Sequence, residues 1–283
     1  MILGLALMMG CEVDAVPAQT LEHDGQTREY VLYVPDSYDG SSAVPLLFNF
    51  HGFGGEASEQ MSWADFRPLA DEHGFIVVYP QGTDLDGYSH WNSALPGGDN
   101  KSTADDFGFI IALLDQISAS HNIDAERVYA SGYSNGGFMS YALACHHSDR
   151  FAAIAPVSAT MLGEDNSDCS PSHPMPVISF HGTADSVIPY EGGSDGYQSV
   201  ADVLGYWTAA NNISAAPTTT SASDDGTTIE RTRYEGGDRG AAVEHYKVID
   251  GEHVWFSLRY EGADTNELIW NFLSSYDLSG LRP

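Results

Sequence analysis

The chain has 283 residues, 40 acidic side chains against 11 lysines and arginines, and a formal net charge of −29. A hydrophobic content of 42% with 11% aromatics excludes a disordered chain, and three cysteines exclude a disulfide-dense scaffold. Nucleic acid and anionic membrane are excluded as direct partners, because phosphate recognition needs basic patches and only Lys101 and Lys247 supply lysines.

Met1 to Gly10 is apolar and uncharged, and it ends at Cys11 before the polar run Glu12–Val13–Asp14. Ten residues are too few to span a bilayer but suit the hydrophobic part of a secretory signal. Leu7–Met8–Met9–Gly10–Cys11 resembles a loose lipoprotein box, so export is expected, with Cys11 as the lipidation site and residues 1–27 as signal and extension. Cys145 and Cys169 are the remaining thiols, and an oxidising compartment favours a bond between them. That bond would close a loop of about 25 residues, worth about 3 kcal/mol if unstrained.

Strand and helix patterns then alternate. Arg28–Val34 has the period of a strand and stops at Pro35, and Pro45–Phe50 is a mostly apolar run leading into His51–Gly52. Phe66, Leu69, Ala70 and His73 fall at helical spacing, with Gly74 placed to end the helix. Phe75–Tyr79 reads as a strand buried on both faces. A helix follows over about 104–121, then strand Val128–Tyr133, helix Gly136–Cys145, and strands Phe151–Val157 and Pro176–Phe180. Val200–Ala210 is helical, and the polar stretch Asn212–Thr228 reads as a surface loop or insertion. Ala242–Ile249 is the last strand and Asn266–Ser275 the last helix. The order predicts one α/β domain over residues 28–283, a mostly parallel central sheet with helices on both faces and no large lid.

The chemistry centres on Gly132–Tyr133–Ser134–Asn135–Gly136, a G-x-S-x-G pattern that follows an apolar strand and opens an amphipathic helix. A strand-to-helix turn that sharp needs small flanking residues and lifts the Ser134 hydroxyl above the sheet, at the positive end of the next helix. An alcohol nucleophile needs a base, and the base needs an orienting acid. His245 and His253 are the histidines left after the acid candidates. His245 lies mid-strand, whereas His253 follows a strand end, where sheet-based sites collect, and is favoured. Asp185 just past a strand is the favoured acid, with Glu191, Asp195 and Asp202 as competitors. His51–Gly52–Phe53–Gly54–Gly55 directly follows a strand, so the N–H groups of Phe53 and Asn135 would converge on a developing oxyanion. His51 reads as a structural hydrogen bonder. Trp91 and Trp255 are candidates to line an aromatic substrate cleft. No metal or other cofactor is expected, and Asp84-Leu-Asp-Gly reads as a turn.

These pieces together resemble the α/β-hydrolase superfamily, and more narrowly its polyhydroxybutyrate depolymerase and feruloyl esterase group of secreted serine esterases. The matching segments are Pro45-Leu-Leu-Phe-Asn-Phe-His-Gly, Phe75-Ile-Val-Val-Tyr-Pro-Gln-Gly, Trp91–Asn92, Asp105-Asp-Phe-Gly-Phe, Arg127 to Gly137, His181-Gly-Thr-Ala-Asp and Gly251-Glu-His-Val-Trp. The resemblance runs in one order over about residues 28–275 and implies a Ser134–Asp185–His253 triad and a Cys145–Cys169 disulfide. One departure is Gly251–Glu252, where the family tends to carry consecutive glycines. The implied activity is hydrolysis of feruloyl, acetyl-polysaccharide or polyester substrates by an exported monomer. A serine peptidase on the same fold, a lipase, or a non-catalytic glycan- or polymer-binding surface lipoprotein are the competing readings.

Overall fold

Side-chain alternation along the strands sorts the core into two layers. In β3 (Val44–Phe50), Leu46, Phe48 and Phe50 enter one buried cluster and Leu47 the other. Successive strand residues point to opposite sheet faces, so a strand apolar at every position must be covered on both sides. The computed structural model describes residues 16–96, 98, 100–163, 168–193 and 196–283. Cys11 and the competing acid Asp195 lie outside them.

The elements run β1 (Ala18–His23), β2 (Gln26–Tyr33), β3, α1 (Ala57–Trp63), α2 (Arg67–His73), β4 (Ile76–Pro80), β5 (Thr83–Leu85), β6 (Tyr88–His90) and α3 (Asp106–Ser120). They continue with β7 (Ile123–Tyr133), α4 (Asn135–His146), β8 (Ala153–Val157), β9 (Val177–Gly182), α5 (Val200–Ala210), β10 (Thr218–Asp224), β11 (Thr227–Tyr234), β12 (Val243–Val248) and α6 (Thr265–Leu273). Ten strands form one sheet in the order β1-β2-β4-β3-β7-β8-β9-β12-β11-β10. The six strands from β4 to β12 pair in parallel, and the two at each edge pair antiparallel. The chain moves from β3 outward to β4, then returns to lay β7 on the other side of β3. The crevice beyond the carboxyl ends of β3 and β7 is therefore the switch point where α/β sheets bind ligands. Among the described residues no helix is long and apolar enough to cross a membrane.

Residues Thr218–Asp224 and Thr227–Tyr234 form an antiparallel hairpin at the sheet edge, which corrects the reading of 212–228 as a loop. An edge hairpin can remain polar because little of it must be buried, and here Ile229 is its one fully buried side chain among the described residues. Its turn carries the readable signal, Asp225–Gly226 with φ of 45° and 83°. The same Asp–Gly device joins β1 to β2 at Asp24–Gly25. The sheet thus takes in residues before 28 that composition alone leaves in the N-terminal extension. Asp86–Gly87 makes the turn expected in the 84–87 segment, between β5 and β6. Cys145 at the end of α4 is bonded to Cys169.

Candidate active site

β7 ends at Tyr133 and α4 begins at Asn135, so Ser134 alone makes the strand-to-helix turn. It adopts φ 53° and ψ −119°, a backbone state that costs a residue with a Cβ about 1–3 kcal/mol. Its N–H donates to Val157 O at the end of β8 (2.9 Å), which fixes the turn to the neighbouring strand. Gly132 and Gly136 are required by close approach: a Cβ on the first would strike Gly136 O, and one on the second Phe50 O.

Asp185 and His253 come from adjacent loops that are sewn together. Thr183 N–H donates to Val248 O (2.9 Å), Ala184 N–H to Gly251 O (2.9 Å) and Asp250 N–H to the Thr183 hydroxyl (2.8 Å). A Cβ on Gly182 would strike the Gly251 backbone and one on Gly251 the Val248 side chain, whereas Glu252 is exposed and its side chain is tolerated. The two loops bring Asp185 Oδ2 to 2.7 Å from His253 Nδ1, and His253 Nε2 to 2.8 Å from Ser134 Oγ. The three favoured residues are thus joined in one hydrogen-bonded chain. His245 is elsewhere, buried in β12 between the Ser179 hydroxyl (2.9 Å) and the Tyr190 hydroxyl (3.0 Å).

The Asp185 carboxylate is buried yet well supplied with donors. Oδ1 accepts from Val187 N–H (2.9 Å) and Ile188 N–H (2.8 Å), and Oδ2 from His253. His181 Nε2 lies 3.3 Å from Oδ2 and 2.8 Å from Ile188 O. Burial alone would raise this carboxyl, but the bonds from His181, His253 and the Ile188 amide outweigh it and hold it well below the usual carboxylate range. It therefore stays ionised and able to orient an imidazole.

The loop after β3 supplies the opposite wall. His51 Nε2 accepts from Gly82 N–H (2.9 Å) and Nδ1 donates to Gly52 O (2.7 Å), so the ring is a brace, as expected from its place before the turn. Burial pushes it down to about 4, which keeps it neutral. Phe53 and Asn135 both line the cleft beside Ser134, and among the described residues no protein acceptor takes either N–H.

That cleft has a volume of about 290 Å³, with Trp91, Phe138, Val187 and Ile188 in its apolar wall. Trp91 is held by its indole N–H on His51 O (3.0 Å), and its backbone is clamped by the Asn135 amide side chain, Oδ1 on Trp91 N (2.7 Å) and Nδ2 on Trp91 O (3.0 Å). Trp255, the other candidate, does not line this cleft. Its ring packs edge-on against Phe66 (6.3 Å) and its N–H reaches Asn266 Oδ1 (3.2 Å), because the chain turns back toward α6 after His253. Sequence reasoning also missed Tyr133, the variable position of the serine motif, whose hydroxyl donates to His253 O (2.8 Å). It did not single out His181, for which its place four residues before Asp185 was the available signal.

Residues 28–189 match the family model described as esterase PHB depolymerase. Among curated proteins, the chain is 33% identical over 168 residues to feruloyl esterase B of Piromyces equi, covering 59% of this chain and 31% of that one. It is 29% identical over 259 residues to a bifunctional acetylxylan esterase/xylanase of Neocallimastix patriciarum, covering 90% and 34%. The chain thus spans about a third of the length of these two relatives. A probable feruloyl esterase C of Aspergillus clavatus is 29% identical over 250 residues, covering 87% of this chain and 82% of that one. Among solved structures, the acetyl xylan esterase from Aspergillus awamori superposes with a TM-score of 0.65 at 13% identity, covering 91% of this chain and 99% of that one. This likeness carries the α/β-hydrolase fold. With more than half of its length matched by that one family model, the chain belongs to the esterase PHB depolymerase family.

Proposed function

We propose that the protein is a serine carboxylesterase in which Ser134 is the nucleophile, His253 the general base and acid, and Asp185 the residue that orients the imidazole. The observation that carries this reading is the unbroken chain from Asp185 Oδ2 through His253 to Ser134 Oγ, at 2.7 and 2.8 Å, opening on an apolar cleft. His253 Nε2 takes the Ser134 proton as Oγ bonds to the ester carbonyl carbon, and the carbonyl electrons move onto oxygen. The N–H groups of Phe53 and Asn135 hold that oxyanion. Each such donor is typically worth about 3 kcal/mol of transition-state stabilisation. The oxyanion collapses, the C–O bond to the alcohol breaks, and the proton on His253 passes to the departing alkoxide. Water, deprotonated by His253, then attacks the acyl-enzyme and releases the acid and free Ser134.

The relatives' names point to feruloyl and acetyl-xylan esters, and the family's description to polyesters, as the substrate classes. The Cys145–Cys169 bond favours an oxidising compartment, in keeping with export and an anchor at Cys11. The test joins a label to a panel. A fluorophosphonate is expected to modify Ser134, and p-nitrophenyl acetate and methyl ferulate to be hydrolysed while peptide anilides are not. An unlabelled Ser134, or turnover of the anilides alone, overturns the reading.

A further inference from the structure

Among the described residues, the lining of the cleft beside Ser134 differs in charge from the chain as a whole. Among the described residues no acid lines the cleft, and one of its wall residues is Lys101, one of two lysines in a chain with 40 acids. Lys247, the other, pairs with Glu230 (3.4 Å), and Arg231 and Arg233 share the buried Glu244. Lys101 forms no ion pair among the described residues; its ammonium instead lies 5.6 Å from the centroid of the Phe53 ring. A ring face attracts a cation without neutralising it, so the positive charge stays available to a bound group.

The backbone beneath Lys101 is fixed. Asn92 Oδ1 accepts from Lys101 N–H (3.1 Å) and Ser102 N–H (3.2 Å), and Asn92 Nδ2 donates to Ala104 O (2.9 Å). Asn92 N–H donates to Asp106, which is buried against Arg28 (2.7 Å). A surface of net charge −29 repels anions in solution. Among the described residues the Lys101 ammonium has no ion-pair partner and no acid beside it on the cleft wall, so it offsets that repulsion next to Ser134.

We propose that Lys101 selects esters that carry a free carboxylate close to the scissile bond. The inference rests on Ser134 being the nucleophile. The carboxylate can sit on the acyl side, as in a half-ester of a dicarboxylic acid, or on the alcohol side, as in an acetylated uronic acid, and Lys101 would pair with it in either case.

Two matched pairs test this, each scored as the ratio of kcat/KM for the anionic to the neutral member. Monomethyl glutarate against methyl valerate reads the acyl side, and O-acetylated methyl galacturonoside against O-acetylated methyl galactoside reads the alcohol side. Lys101→Gln is expected to lower the ratio about tenfold in one arm, which identifies the side, and Lys101→Arg to retain it. Lys101→Glu lowers it further, and about 0.5 M salt compresses the wild-type ratio toward that of Lys101→Gln. A ratio that Lys101→Gln leaves unchanged in both arms overturns the proposal while the esterase reading stands. Failure of wild type on all four esters, with Ser134 unreactive to fluorophosphonate, overturns the nucleophile reading and this proposal with it.

Discussion

Tyr133 donates its phenolic hydrogen to the backbone carbonyl of His253 (2.8 Å), with the two rings 5.1 Å apart. Because Tyr133 immediately precedes Ser134, one residue ties the Ser134 turn to the loop that carries His253. Burial, with the Asp185 charge adding to it, pushes this phenol up to about 12, so it remains a donor across the working pH range. Tyr133→Phe removes the bond and keeps the ring. The expected outcome is a loss of about 1 kcal/mol in stability and of roughly tenfold in kcat/KM, because a small displacement of a catalytic group is costly. Steady-state kinetics on p-nitrophenyl acetate with thermal unfolding of the same variant check it. Lower stability with wild-type kcat/KM would mean that the bond only holds the loop.

The Ser134 backbone makes function and stability pull in opposite directions. At φ 53° a Cβ is strained, and glycine is not. Ser134→Ala and Ser134→Gly should both lower turnover by roughly 10⁴ to 10⁶-fold. Ser134→Gly should nevertheless unfold at a higher temperature than Ser134→Ala, by about 1 kcal/mol of stability, since only glycine relieves the turn. Paired denaturant titrations decide it. An alanine variant as stable as the glycine variant would remove strain from the account.

The strand-to-helix turn at Ser134 was readable in the sequence because a turn this tight leaves a chemical imprint: Gly132 and Gly136 are forced by the approach of neighbouring backbone. The parallel strands were equally plain, since burial on both faces leaves runs such as Ile76–Tyr79 without a polar residue. Polar edges leave no such imprint. The Thr- and Ser-rich strand Thr218–Asp224 reads like a loop because solvent covers most of it, and only Asp225–Gly226 marks the hairpin. Trp255 was ambiguous for a related reason, since an aromatic two residues past His253 can face the cleft or the core, and its contacts with Phe66 and with Asn266 in α6 turn it from the cleft. Tyr133 and His181 act through the tertiary positions of Gly251–Val254 and Asp185, which no local pattern encodes.

Cys145 closes α4, the helix whose first residue follows Ser134, and its bond to Cys169 spans a sequence separation of 24. The Cys145→Ser/Cys169→Ser double variant is expected to lose about 3 kcal/mol, the chain-entropy value for a loop of that length. The Ser134 turn is held independently by β8 and by the glycine contacts. The variant, assayed well below its unfolding temperature, should therefore keep kcat within about twofold of wild type. A large fall in kcat with little loss of stability would place the bond in the chemistry rather than the frame.

His245 gives the last prediction, and its direction follows from burial. The ring is enclosed between Ser179, Tyr190 and the α5 side of the core, and burial pushes it from 6.5 down to about 3, with the positive charges of His181 and Lys247 acting in the same direction. The unfolded chain therefore binds this proton first as pH falls, and wild type loses stability between about pH 6.5 and pH 3, at up to about 1.4 kcal/mol per pH unit. His245→Gln should be the less stable protein at pH 7, by about 1–3 kcal/mol, from lost packing. Below pH 6 it lacks the titrating ring, and the many carboxylates common to both proteins cancel in the comparison. The gap between variant and wild type should then narrow by about 1 kcal/mol for each unit of acidification and vanish near pH 5 or below. Denaturant titrations at half-unit steps from pH 7 to pH 4.5 measure it, and a gap that stays constant would mean that His245 is not a buried neutral base.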